Sequence, residues 1–388
     1  MTPRVLMVVN ATISDPLPEP GRQRRLDYRL VQVALDAETL DLGAVRSSWW
    51  ARLLLRVAGN YVALAAKAFV RVRRGGIDCV LCDNENEAMV LALLLKLSKR
   101  RTALLTYAIT PAARKKCLFF LVARGHSHVD RWLNYSGVQA DLLVTRRGVP
   151  RDRVQVVPSH TDALFFRPEA VDAEQPAPRP YILAVGRQHR DYPLLVDATG
   201  DLPIDLVIDA SSPHTRWPDS LAGRTLPPSI RLVSLDSEQL RAAYAGAAIV
   251  VVPTVESDFG AGQTTLLEAM AMARPVVATR TAGGGDVLAD RRSVLRGGLT
   301  RPTAGLFAGV YLPGVPDALG PHGYYVAPGD VDALRGVIRY LLDHPEEAAE
   351  MGRRGRALVL GALTIDHFRD RVVAAVSEVR AARVQISQ

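Results

Sequence analysis

Ile249-Val250-Val251-Val252, closed by Pro253 and followed by a glycine-bearing loop and a helix start, is the stretch that most constrains the fold. The run is short, β-branched and apolar on both faces, which suits a strand buried on both sides of a parallel sheet. The loop holds Glu256, Asp258, Gly260 and Gly262. Gln263, Thr264 and Thr265 then open a helix whose apolar residues are Leu266, Leu267, Met270 and Ala271. Pro275 stops that helix and Val276-Val277 starts a second strand. Strand, helix and strand in this order predict an α/β fold.

The first turn of such a helix leaves backbone N–H groups without intrahelical partners. Together with the positive end of the helix dipole they form a site for phosphate, and the Thr264 and Thr265 hydroxyls add side-chain donors. Glu268, one turn in, could accept two hydrogen bonds from a vicinal diol such as a ribose. A plainer reading is equally open: the threonines cap the helix and Glu268 complements its dipole.

The run Gly262-Gln263-Thr264-Thr265-Leu266-Leu267-Glu268-Ala269-Met270-Ala271, followed by Arg274-Pro275-Val276-Val277, resembles the nucleotide-sugar signature of the GT-B glycosyltransferases, in particular glycosyltransferase family four. The resemblance implies two Rossmann-like domains facing each other across a cleft. An acceptor-binding domain would span 1–168 and a donor-binding domain 181–364, with a linker at 169–180. The last helix, from Ile365, would cross back onto the first domain. It also implies that the helix start holds the donor diphosphate and Glu268 the ribose. The family has a second glutamate eight positions earlier, where this chain has Gly260. Glu256 and Asp258 are the nearest acids, and which of them faces the sugar stays open. Arg187 matches the family's diphosphate cation at the end of the strand Tyr181–Val185. Arg190 is the nearest counterpart of its second cation, with the bidentate geometry of a guanidinium. Gly283 and Gly284 resemble the loop that approaches the donor sugar. The nucleoside-diphosphate sugar is then a co-substrate, and no cofactor or metal is expected.

A chain of 388 residues, 48% of them hydrophobic and 23% charged, is long enough for two such domains, each with its own core. Its three cysteines are odd in number and lie in apolar surroundings, which predicts free thiols in a reducing cytoplasm. Cys79 and Cys82 form a C-x-x-C spacing inside an expected strand, without the second pair a zinc site needs. Arg4 to Val9 reads as a first strand rather than a signal peptide. The net charge of +8 calls for an anionic partner or surface. It is not focused in one short block and no nucleic-acid motif accompanies it, so a DNA or RNA partner is not expected.

In the first domain no G-x-G-x-x-G follows the opening strand, which argues against an NAD-type site. Arg22, Arg24 and Arg25 precede a helix near Leu26. In the resembled family the loop after the first strand faces the cleft, so these arginines could meet a donor phosphate or an acidic acceptor, with Arg22 the acceptor candidate; a solvated basic helix start explains any one of them as well. Ligands in open α/β sheets bind beyond the carboxyl ends of the strands. On that ground Asp83 and Glu85, after the strand at 78–81, are candidates for acceptor hydroxyl binding. Tyr107, an acceptor-binding candidate, ends the next strand, where several members of the resembled family carry a histidine on the donor sugar; here that contact is either replaced or lost. His160, within Val156-Val157-Pro158-Ser159-His160-Thr161-Asp162, is a candidate cleft acid or base, or a polar loop residue.

Residues 47–74 have apolar residues at helical spacing with arginines between them and Trp49-Trp50 at one end. Such a helix can lie on an anionic membrane or cover a sheet with one face. Packing is the reading preferred here, with peripheral membrane contact second. Residues 286–322 read as a long insertion or flap.

Together these features predict a metal-independent glycosyltransferase of the cytoplasm; the resemblance implies a retaining course, and an inverting one would need His160 or an acid of the first domain as base. The acceptor class is open. A proline- and arginine-rich composition suggests a high-GC bacterium, where natural products are glycosylated. Glycolipid or polysaccharide assembly at the inner membrane surface, a nucleotide-sugar epimerase or hydrolase, and a non-catalytic binder are the alternatives.

Overall fold

The computed structural model describes residues 4–13, 17–110, 116–171, 180–210, 220–221, 223–258, 260–284 and 322–387. The insertion expected at 286–322 lies outside them except for His322, as does most of the linker expected at 169–180.

Two six-stranded sheets, parallel throughout, make up the framework. The first holds β1 (Val5–Val8), β2 (Glu38–Leu40), β3 (Cys79–Cys82), β4 (Ala103–Ala108), β5 (Arg131–Asn134) and β6 (Val154–Val156), in the order β2-β1-β3-β4-β5-β6. The second holds β7 (Tyr181–Val185), β8 (Asp205–Asp209), β9 (Ile230–Val233), β10 (Ala247–Val252), β11 (Val276–Thr279) and β12 (Tyr324–Val326), in the order β12-β11-β10-β7-β8-β9. β10 is the run of β-branched residues, paired with β7 on one side and β11 on the other. Its last four residues are fully buried, as a two-faced apolar strand requires.

Helices cover both sheets. The first is accompanied by α1 (Asp27–Ala34), α2 (Leu42–Arg46), α3 (Trp49–Ala58), α4 (Asn60–Arg73), α5 (Glu85–Leu97) and α6 (Gly137–Arg147). The second is accompanied by α7 (Tyr192–Thr199), α8 (Ser237–Gly246), α9 (Gln263–Ala271), α10 (Val331–Asp343) and α11 (Pro345–Ala362). The continuous pattern at 47–74 is two helices, because Gly59 adopts φ +85°, a left-handed conformation that breaks the ladder.

The last helix, α12 (Ile365–Ser387), returns to the first sheet. Phe368, Val372, Ala375, Val376 and Val379 join β1, β3 and β4 residues such as Met7, Leu81 and Leu105 in one core. The opposite face of the same sheet packs against α4 and α5. Cys79 and Cys82 fall into these two separate cores, so the C-x-x-C pair straddles the sheet. Both are free, and burial pushes the Cys79 thiol up to about 12.

Candidate active site between the two sheets

Gly262 starts α9 in the left-handed region, at φ +85°. A Cβ there would stand 2.4 Å from Val252 Cγ1, so only glycine lets the loop leave β10 and enter the helix this closely. No side chain caps α9. Its first-turn donors are left for whatever lies beyond the helix end.

Arg190 runs beneath that end. Its Nε donates to Val185 O at 2.9 Å, Nη1 to Gln188 O at 2.9 Å and Nη2 to Thr265 Oγ1 at 3.1 Å. Gly186, at φ +104°, makes the space, since a Cβ would meet the guanidinium at 2.4 Å. Burial lowers the Arg190 pKa, with only tyrosine neighbours acting against it. A guanidinium remains charged under such conditions, so a half-buried positive charge lies under the helix start. Arg187, one residue after Gly186, is half-buried. Thr265 is buried and also donates to Val185 O, whereas Thr264 is exposed at the cleft.

The two acids of the loop have different surroundings. Glu256 Oε1 accepts from Ala282 N at 2.8 Å and Ser257 N at 3.1 Å, and Gly283 N donates to Ser257 O at 2.9 Å. Glu256 therefore braces the turn that carries Gly283 and Gly284. Asp258 is exposed, and its backbone carbonyl accepts from the Gln139 side chain across the cleft. Gln263 is bonded in the same direction, to Ser159.

A cavity of about 720 Å³ lies between the two sheets, with Arg24, Asp27, Ser136, His160, Gln263 and Thr264 among its lining. His160 Nε2 is 3.4 Å from Asp27 Oδ2, and its ring stacks on Phe368 at 3.9 Å. Burial alone would raise the Asp27 carboxyl, but neighbouring His160, the Tyr28 amide and Arg24 together outweigh it and hold it below its usual range.

Glu268 is 2% exposed. It accepts from the Tyr244 hydroxyl at 3.0 Å and pairs with Arg24 of the first domain at 2.7 Å. Burial raises its pKa, while Arg24 and Tyr244 act to lower it. The carboxylate expected to meet a ribose is thus met by Arg24 in this conformation.

The acceptor residues expected from the sequence are dispersed. His160 lines the cavity; Arg22, Asp83, Glu85 and Tyr107 do not. Arg22 is exposed and pairs with Glu19 at 3.3 Å. Glu85 is buried, accepting from Ile109 N at 3.0 Å, Thr110 N at 2.9 Å and Lys116 Nζ at 2.5 Å, so its oxygens hold the loop after β4 instead. Asp83 accepts from Asn10 N at 2.9 Å and lies beside buried Glu87. Tyr107 is 3% exposed and stacks on Tyr135 and Phe368 within the α12 core. Strand alternation sends its ring to that core rather than to the cleft. No local sequence pattern marks Asp27, Ser136 or Gln139 as cleft residues. Arg24 is set apart from its neighbouring arginines only by its partner Glu268, which lies in the other domain.

Solved structures of similar shape cover nearly the whole chain. A sucrose-phosphate synthase from Thermosynechococcus elongatus superposes with a TM-score of 0.66 at 16% identity, covering 98% of this chain and 100% of that one. A glycosyltransferase from Rickettsia africae gives 0.65 at 15%, with 98% and 99% covered. The Anabaena protein HepE, in complex with UDP and glucose, gives 0.63 at 12%, with 96% and 99% covered. The fold is GT-B. Within it, residues 179–304 match the family model described as glycosyl transferases group 1, which is consistent with the resemblance to family four. No curated protein matches the chain in sequence. In the second domain, Gly260, Gln263 and Thr264 at the α9 entry line the cavity, whereas Arg187 and Arg190 lie behind them and are not part of its lining.

Proposed function

We propose that this GT-B protein is a glycosyltransferase that moves a sugar from a nucleoside diphosphate to a hydroxyl or amine acceptor held in the cleft. The observation that carries the reading is the uncapped start of α9, above the half-buried Arg190 guanidinium and open to a cavity large enough for a small ligand. The group 1 family match over this same region supports it, as does the binding of UDP and glucose by the similarly folded HepE.

The chemistry follows from charge. Breaking the bond between the anomeric carbon and the diphosphate oxygen leaves both bonding electrons on the diphosphate. The α9 donors with Arg187 and Arg190 stabilise that charge as it develops. These are protein groups, so the reading needs no metal. In the retaining course we favour, the acceptor oxygen attacks on the face the diphosphate leaves, and the departing phosphate oxygen takes the acceptor proton. The His160–Asp27 pair favours one second reading. There the imidazole removes the acceptor proton as a general base, and attack comes from the opposite face with inversion.

The deciding experiment incubates the protein with UDP-, GDP-, TDP- and ADP-sugars and a panel of acceptors, and reads the anomeric configuration of any glycoside by NMR. Retained configuration supports the phosphate as base; inverted configuration transfers the role to His160. Nucleotide binding without product leaves a binder. Thermal stabilisation by one nucleoside diphosphate, about 2.7 kcal/mol at a hundred times its dissociation constant, identifies the base.

A further inference from the structure

The helices between β2 and β3 have an outer surface that the cleft chemistry does not use. α3 packs inward through Trp50, Ala51, Leu54 and Leu55. Its outward face is not the arginine-only face expected of a packed amphipathic helix. Trp49 is 74% exposed, Leu53 57% and Val57 78%. Spaced at i, i+4 and i+8, they form one apolar stripe along the helix. Arg52 and Arg56, both exposed, run beside it, and Tyr61 lies exposed just past the Gly59 break.

The segment that carries this stripe is predominantly cationic, although Arg71 pairs with Glu38 of β2 at 2.5 Å. Between Asp41 and Asp78 there is no acid, whereas Arg46, Arg52, Arg56, Lys67, Arg71, Arg73 and Arg74 are all cationic. These seven positive charges compare with +8 for the whole chain, so the remainder is close to neutral. The helices on either side of α3 are tied to the loop that follows β1. Leu42 N bonds to Ala11 O at 3.0 Å, and Asn60 Nδ2 to Asn10 Oδ1 at 3.4 Å, just beyond the carboxyl end of β1.

We infer that α3 seats on an anionic lipid bilayer, with Trp49, Leu53 and Val57 entering the boundary between headgroups and acyl chains and Arg52 and Arg56 meeting lipid phosphates. An exposed Trp-Leu-Val stripe beside arginines has the composition of an interfacial helix, and the acid-free segment supplies the attraction to an anionic surface. A second copy of the chain is a poor occupant, since it brings the same positive field against this one. Bilayer docking here holds the acceptor side of the cleft at the membrane, where a lipid-linked acceptor lies. The docking itself does not depend on the donor chemistry.

The test is sedimentation of the full chain with phosphatidylcholine vesicles and with phosphatidylcholine–phosphatidylglycerol vesicles, at low and high salt. The expected result is binding to the anionic vesicles, weakened by salt, and a loss of about tenfold or more in the combined variant Trp49→Ser, Leu53→Ser, Val57→Ser. These side chains are exposed, so the variant should keep the wild-type melting temperature and its response to nucleotide. No sedimentation with anionic vesicles, or equal sedimentation of the triple variant, overturns the inference. So does a concentration-dependent dimer in gel filtration that the triple variant abolishes, since the occupant is then a second copy. Absence of nucleotide stabilisation alongside vesicle binding removes the donor reading and leaves this one standing.

Discussion

Arg24 Nη2 lies 2.7 Å from Glu268 Oε1, tying the loop before α1 in the first domain to α9 in the second. The Tyr244 hydroxyl takes another position on the same carboxylate. On the proposed function, a donor ribose has to take Glu268 over from Arg24, so nucleotide binding and release of this interdomain pair are coupled. Arg24→Ala should tighten nucleoside diphosphate binding about fivefold, the equivalent of about 1 kcal/mol for a partly exposed ion pair. Glu268→Ala should weaken it. Titration calorimetry on both variants measures this, and weaker binding in Arg24→Ala would assign that arginine to the donor instead.

Arg187→Ala should lower kcat about 10²- to 10³-fold, by removing one stabilising cation from the leaving diphosphate, with little change in melting temperature. Arg190→Ala should lose both activity and stability, because Arg190 also binds Val185 O, Gln188 O and Thr265 Oγ1. Steady-state rates with thermal melts separate the two roles, and unchanged turnover in Arg187→Ala rejects its assignment.

Gly262→Ala should destabilise the second domain by about 2 kcal/mol or more. The added Cβ meets Val252 Cγ1 at 2.4 Å in a backbone conformation that L side chains rarely adopt. A denaturant melt checks this, and a neutral result would mean that the loop reaches α9 by another path.

Glu87 gives the fold a pH dependence of unusual sign for a carboxyl group. Burial, then the neighbouring Asp83 carboxyl, pushes its pKa from 4.5 up to about 11. The folded state therefore holds a proton that the unfolded chain releases. The contribution to stability is fully present below about 4.5 and is lost progressively as pH rises toward about 11. Glu87→Gln, which imitates the protonated form, should be more stable than wild type at about pH 8 and show a flatter melting profile between about pH 5 and about pH 9. Parallel profiles for the two proteins would show that Glu87 ionises freely.

The β10–α9–β11 unit was legible in the sequence because it is local. A β-branched run, a glycine entry and a proline stop lie within about thirty residues, and backbone rules act over that range. Gly59 was present in the 47–74 pattern, but apolar periodicity alone does not report the sign of φ. Tyr107 was misplaced because the end of a strand can be recognised without knowing which face looks to the cleft. Arg24 with Glu268, and Asp27 with His160, were hidden for a different reason: each pair is brought together by tertiary structure, and no local pattern marks one member for the other. Glu85 shows the converse. An acid at the carboxyl end of a strand looks like a ligand until Lys116 and two backbone amides are found around it.

The return of α12 to the first sheet reverses the order in which the two halves can be completed. Residues 5–156 contain every strand of that sheet and leave the ribosome first. The face of β1, β3 and β4 that packs on Phe368, Val372 and Val376 has to wait for the whole second domain to be made. During synthesis the nascent first domain therefore carries an uncovered apolar face, the kind of surface that chaperones hold. A chain cut before Ile365 would keep that exposure permanently, making the final helix a requirement for the solubility of the domain that is translated first.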